Sequence, residues 1–262
     1  MHILKCLLVF CMIYITVAKA KYYGAEYQEL KCPTNSNQLC PVYKIYELGS
    51  NNNAFKLDFA NYQNRLGKNF NPYEIIVSGS FVDGYFQMDQ VFRMMVHPGR
   101  AFEYSNNDKF YTIKNDTIIQ LNSDINKIGI ESMFNTYKDD IPFFHNEWLN
   151  LKLSSGDSVY TTISNHIDNG AGQVQVDYVW VSIPDVPKCL KQNDGCQFPF
   201  ILQPTYERDA NRCLIFKGCV RILKNPFCIL ETDIKGCPAG YKKVSFSNKD
   251  GCSKNYCDPS FL

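Results

Sequence analysis

No charge of one sign dominates this chain. Its 262 residues carry 27 Lys and Arg against 26 Asp and Glu, a formal net charge of +1. That balance argues against a polybasic nucleic-acid surface or membrane anchor. Histidine is scarce, at four residues. The fingerprints H-E-x-x-H and G-x-S-x-G are absent, as are a P-loop and a dinucleotide-binding turn, so the common metallohydrolase, serine-hydrolase and nucleotide sites are not indicated. No window of 18 consecutive apolar residues occurs, so no membrane-spanning helix is expected. Beyond residue 20 there is no C-x2-C pair and no His near a Cys, so the Cys do not read as zinc ligands. Neither a metal nor another cofactor is expected.

What the chain does have is aromatic and cysteine content. Aromatic residues make up 14%, with 18 Phe and 17 Tyr, enough for a core and too many for global disorder. Lys5 precedes an apolar run from Cys6 to Val17, and Ala18-Lys19-Ala20 follows. A basic start, an apolar run of about a dozen residues and an A-x-A site have the form of a secretory signal peptide. Residues 1–20 are read as that leader, and a secreted, extracellular protein is expected. The mature chain then has 242 residues, 25 basic and 26 acidic side chains, and ten Cys: Cys32, Cys40, Cys189, Cys196, Cys213, Cys219, Cys228, Cys237, Cys252 and Cys257. An even number in an oxidising compartment predicts five disulfides. The sequon Asn115-Asp116-Thr117 predicts a surface glycan on Asn115.

The Cys divide the chain. The 148 residues between Cys40 and Cys189 contain none, whereas 189–262 holds eight in 74. A stretch without staples rests on its own apolar core, and a small Cys-dense one rests on its bridges. We therefore expect an all-β domain over 21–183, a linker at 184–188 around Pro184 and Pro187, and a disulfide module over 189–262. In the first region Phe55, Leu57 and Phe59 alternate with polar residues. So do Leu149, Leu151 and Leu153, and likewise Val174, Val176, Tyr178 and Trp180. Period-2 alternation predicts strands. Turn clusters such as Gly49–Asn53, Pro98-Gly99 and Ser154–Asp157 separate these runs. About nine to eleven short strands point to a β-sandwich or jelly roll. Tyr85–Val96 shows helical spacing at Tyr85, Met88, Phe92 and Met95, yet Pro98-Gly99 closes it like a hairpin end, and a strand is expected. No internal repeat is evident.

Cys196-Gln197-Phe198-Pro199-Phe200, followed by Tyr206, Cys213, Cys228 and Cys237, resembles a fibronectin type II module over roughly 196–237. The resemblance implies two small sheets around an aromatic pocket, with Phe198, Phe200, Tyr206 and Phe227 as ligand-binding candidates. It implies pairing of the first Cys with the third and the second with the fourth, here Cys196–Cys228 and Cys213–Cys237. The family binds collagen-like chains and, in some members, choline lipids. Its Trp before the third Cys is Phe227 here, and Cys219 is additional.

A catalytic set can be assembled only on paper. Ser158 with His145 or His166 and Asp139 or Asp168 has the residue types of a triad. Asp139-Asp140 reads better as a loop before Ile141-Pro142, and Asn122, Asp124 and Asn126 as an Asx-rich turn rather than a calcium loop. Tyr22, Tyr23 and Tyr27 crowd the mature N-terminus, as a contact surface or as an edge strand. The expected function is non-catalytic recognition of an extracellular glycan or protein ligand through the β-sandwich domain, with the Cys-rich module as an accessory, and with no nucleic acid and no membrane span. The alternative is a secreted effector or protease inhibitor of venom or salivary type. It would act through the tail loops Gln203–Asn211 and Arg221–Pro226, with Arg208, Arg221 and Lys224 as anchors.

Overall fold

Ile75, Ile76 and Val77 are consecutive and all buried, yet they serve two cores. The computed structural model describes residues 20–32, 35–49, 55–58, 73–105, 108–123, 127–129, 132–161, 173–183, 189, 196, 202–209, 212–221, 228 and 236–262. For 29–32, 35–41, 55–58, 127–129 and 173 the description is of backbone alone. The protein is mainly β. The first region runs β1 (Lys21–Cys32), β2 (Asn35–Glu47), β3 (Phe55–Asp58), β4 (Ile75–Val82), β5 (Tyr85–Met94), β6 (Phe110–Lys114), β7 (Thr117–Gln120), β8 (Lys127–Gly129) and β9 (Ser132–Asn135). Two helices follow, α1 (Tyr137–Asp140) and α2 (Asn146–Ser154), and then β10 (Ser158–Thr161), β11 (Gln173–Val176) and β12 (Tyr178–Ile183).

Ten of these strands form one curled sheet in the order β3-β2-β1-β4-β5-β12-β10-β6-β7-β8. Every neighbouring pair is antiparallel. Successive strand residues point to opposite faces, so a strand covered on both sides is apolar throughout. On one face Ile76, Phe92, Phe110, Val159 and Trp180 pack with Phe102 and Tyr104. On the other, Ile75, Val77 and Val91 pack with Tyr23, and Tyr111, Ile113, Tyr160, Val179 and Val181 pack with the helices. Trp180 Nε1 donates to the Tyr73 carbonyl at 2.7 Å, which satisfies the indole N–H of a fully buried ring. A Cβ on Gly24 would lie 2.2 Å from the Tyr73 ring, so β1 and Tyr73 meet only because residue 24 is glycine.

The helical spacing in 85–96 has a β explanation. Ser78 pairs with Gln90 and Gly79 with Met88, leaving Asp89 as a bulge. The extra residue keeps Met88 and Val91 on the same face, although they are three apart. Other expectations are corrected. Leu149, Leu151 and Leu153 lie in helix α2: Leu149 and Leu153, four apart, are fully buried while Leu151 is 56% exposed. The run from 173 to 181 is two strands. Val174 and Val176 sit in β11, parallel to β9, and the alternation changes phase at buried Asp177, after which Val179 and Val181 face that core. Asp139-Asp140 closes α1 rather than forming a loop. β1 lies between β2 and β4 over Lys21–Ala25, so Tyr22 and Tyr23 are not on an edge, whereas Tyr27 lies beyond the pairing with β4; Tyr23 is buried, and Tyr22 and Tyr27 are half-buried against the cores. The 184–188 segment lies outside the described residues.

The tail carries two hairpins, β13 (Leu202–Arg208) with β14 (Leu214–Arg221), and β15 (Tyr241–Ser247) with β16 (Ser253–Pro259). They are two versions of one motif. Asp209 Oδ1 accepts from the Cys213 N–H at 2.8 Å, and Asn248 Oδ1 accepts from the Cys252 N–H at 2.9 Å. In each turn the backbone N–H of the Asx residue donates to the carbonyl of that Cys, at 3.1 and 2.9 Å. The disulfides repeat as well. They are Cys189–Cys213 and Cys196–Cys219 on the first hairpin, and Cys228–Cys252 and Cys237–Cys257 on the second. Each set of four pairs first with third and second with fourth. That is the connectivity order implied by the resemblance, but on different cysteines: Cys196–Cys228 and Cys213–Cys237 do not form. The four disulfides among the described residues mark a chain that folds in an oxidising compartment. The side chains of Cys32 and Cys40 lie outside the described residues.

The second hairpin is docked on the first region. Tyr241 and Cys257 are buried in the core that holds Tyr137, Trp148 and Leu153. Tyr241 donates its hydroxyl to the Val96 carbonyl at 2.6 Å. Gly240, at φ 85°, leaves room for Val96, which a Cβ there would meet at 2.6 Å.

Candidate functional site

Where the two hairpins meet the first region, a charged cluster is buried. Arg208 at the end of β13, Arg212 in the following turn and Asp258 on β16 have side chains 8%, 3% and 1% exposed. Asp258 takes one guanidinium on each carboxylate oxygen, Arg208 on Oδ2 and Arg212 on Oδ1. Arg208 also donates from Nε and Nη2 to the Arg212 carbonyl, at 3.1 and 2.7 Å. The Arg212 guanidinium lies 5.4 Å from the ring centroids of both Trp148 and Tyr256, a cation held between aromatic faces. A second Arg212 nitrogen donates to His145 Nδ1. His145 is therefore the neutral tautomer with its proton on Nε2. Burial, and then the positive charge of Arg212, pull its pKa below the ordinary histidine value. Glu147 approaches Nε2 at 3.9 Å but is almost wholly in solvent.

Two guanidiniums face one carboxylate here, with neutral histidine beside them, so the cluster carries a net positive charge. Among the described residues, Arg208 Nη1 and Arg212 Nε have no hydrogen-bond acceptor.

Above this cluster lies a pocket of about 340 Å³ between the hairpins. Tyr206, Glu207 and Arg208 line it from the first hairpin, Phe246, Asn248, Lys249, Lys254 and Tyr256 from the second, and His145 from the first region. Phe246 and Tyr256 stack at 6.0 Å. Asn248 is committed to its turn. Glu207 is paired with Lys217 at 2.7 Å, and that contact lowers its carboxyl pKa.

No family model matches the chain, and no solved structure matches it. An uncharacterized protein of Dictyostelium discoideum is 24% identical over 274 aligned positions, covering 92% of this chain and 88% of that protein.

Of the residues singled out by sequence, Tyr206 is in the pocket wall, while Phe198, Phe200 and Phe227 lie outside the described residues. Asn115 is exposed at the β6–β7 turn, where Asn115 and Asp116 have φ 51° and 53°. Among the described residues the paper triad is not assembled. Ser158 is fully buried and donates to the Lys152 carbonyl at 3.1 Å, His145 is engaged by Arg212, and His166 and Asp168 lie outside the described residues. Asn122 is a clip: its side chain bonds the Tyr22 N–H and the carbonyls of Tyr22 and Leu48, at 2.9, 2.7 and 3.0 Å. Arg208 is not a free loop anchor, because 202–208 is strand and its head is buried. Arg221 ends β14 in solvent, and Lys224 is outside the described residues. Arg212, Asp258, Lys249 and Lys254 were not singled out by sequence. The shared spacing Asp209-x3-Cys213 and Asn248-x3-Cys252 was the available signal for the paired hairpins that carry them. Among the described residues no group of three His, Cys, Asp or Glu is placed to hold a metal, and no helix is long and apolar enough to cross a membrane.

Proposed function

We propose that the chain is exported by residues 1–20 and serves outside the cell as a non-catalytic binding protein for a glycan. It carries its own N-linked glycan on Asn115. The observation behind this reading is the pocket between the hairpins, which offers Tyr206, Phe246 and Tyr256 as apolar surface beside polar and charged groups. Few convergent polar groups on an aromatic wall suit a ligand with both apolar faces and hydroxyls, as a sugar ring has. The disulfide-held hairpins fix the wall before binding, which reduces the ordering cost. The placement of Asn115 at an exposed turn supports its modification.

The test is a binding panel of the mature protein against immobilised glycans, gelatin and extracellular proteins, run with Tyr206→Ala and Phe246→Ala. Saturable glycan binding that both variants weaken is expected. Binding to gelatin or protein alone, or glycan binding that both variants retain, overturns the reading.

A further inference from the structure

The pocket's charge goes further than its shape. Three of its lining side chains are cationic, Arg208, Lys249 and Lys254, against the single carboxylate of Glu207, and Glu207 already has Lys217 as partner. Beneath the wall Arg208 and Arg212 share the one carboxylate of Asp258, so pocket and cluster together hold four cationic side chains, Arg208, Arg212, Lys249 and Lys254, against the two carboxylates of Glu207 and Asp258. A buried positive excess is costly unless something neutralises it. His145 does not add to the excess while it is neutral, and Glu147 is too solvated to cancel it. Arg208 takes part in both features: it lines the pocket, it is 8% exposed, and its Nη1 lacks an acceptor among the described residues.

We propose that the ligand of this pocket is an acidic saccharide, a sugar bearing a sulfate ester or a carboxylate. This rests on the glycan-binding reading above. The sugar ring lies against the wall of Tyr206, Phe246 and Tyr256. Its anionic group sits between Lys249 and Lys254, over the positive field of Arg208 and Arg212. A charge-assisted contact in a partly desolvated pocket is stronger than a surface ion pair, so the anion supplies affinity and the aromatic wall supplies orientation.

The test uses the full mature chain and three probes by titration calorimetry: a keratan sulfate-derived hexasaccharide, whose anionic groups are all sulfate esters, sialyllactose, whose anionic group is a carboxylate, and neutral cellohexaose. The first two separate sulfate from carboxylate as the source of charge. We expect one or both acidic probes to bind at least about tenfold tighter than the neutral one, a difference worth one good contact. Lys249→Gln with Lys254→Gln should erase that preference. The control pair Lys242→Gln with Lys243→Gln, exposed on the same hairpin but outside the pocket, should keep it. Cellohexaose binding as tightly as the acidic probes overturns the acidic assignment and leaves glycan recognition standing. So does an acidic preference lost equally in both double variants, which reports general charge attraction. No binding of any probe, neutral or acidic, overturns both.

Discussion

Arg212 and Gly251 occupy the same place in the two tail hairpins. Both have positive φ, 67° and 77°, and each donates its N–H to the carbonyl of the Asx residue three positions earlier, Asp209 or Asn248, at 3.0 and 2.9 Å. Glycine adopts that conformation freely, whereas an L side chain crowds its own backbone there. The first hairpin keeps an arginine where the second has none. The reason lies in its head group, which is held by Asp258, His145 and two aromatic rings. The duplicated turn thus has one plain copy and one copy specialised to dock the tail.

Removing that head group should be severe. Arg212→Ala leaves Asp258 with half its partners and opens the space between Trp148 and Tyr256, so a loss of about 3–5 kcal/mol is expected. Arg212→Gly loses the same contacts but relieves the backbone, and should be less destabilised than Arg212→Ala by about 1 kcal/mol. Guanidinium unfolding midpoints of the two variants check the order. Equal midpoints would show that the positive φ is not strained.

Acidity should loosen the same junction. The folded-state pKa of His145 lies below its unfolded value, so the unfolded chain takes up the proton first. Its contribution is whole above the unfolded value of about 6.5 and is lost as pH falls from there through the folded value. A protonated His145 faces the guanidiniums of Arg212 and Arg208, with Asp258 and exposed Glu147 as the opposing charges and the Tyr256 ring alongside. His145→Gln keeps an acceptor for Arg212 and removes the titration. Melting temperature measured across this range should fall less steeply in His145→Gln than in the wild type; parallel curves would assign the acid sensitivity elsewhere.

The β character was legible because apolar alternation and turn residues are local signals. Where they misled, a tertiary fact intervened. The Leu149–Leu151–Leu153 alternation has the strand period, but burial of Leu149 and Leu153 together with Trp148 selects a helix. The change of phase at Asp177 depends on Thr161 and Arg100, neither of which is a sequence neighbour. The tail pocket was harder still. Its cations come from two hairpins about 40 residues apart in the chain, and pairing the cysteines by one family's frame hid the repeat that brings those hairpins together.

The helix assignment has a direct test. Leu153→Ala should cost about 2–5 kcal/mol, because the side chain is fully buried in the core shared with the tail. Leu151→Ala, two residues away, should change stability by no more than about 0.5 kcal/mol, because its side chain faces solvent. A strand with alternate residues on one face would make the two losses similar. Denaturant midpoints of the two variants separate the cases.

The disulfide frame is open to the sharpest chemical test. Unreduced proteolysis and mass spectrometry should recover Cys189–Cys213, Cys196–Cys219, Cys228–Cys252 and Cys237–Cys257. Peptides linking Cys196 to Cys228 would restore the other frame and remove the repeat. The four bridges are not equivalent in their surroundings. Cys257 is buried, with Cys237 partly buried beside it, in the core that also holds Tyr137 and Trp148, whereas Cys189 is exposed. Graded reduction should therefore open Cys189–Cys213 before Cys237–Cys257, since thiol exchange needs access to the sulfur. Loss of the Cys237–Cys257 bridge should also disturb the first region, through Tyr241 and its bond to Val96. Tryptophan fluorescence, which comes from Trp148 and Trp180 alone, should then change at that step and not at the earlier one.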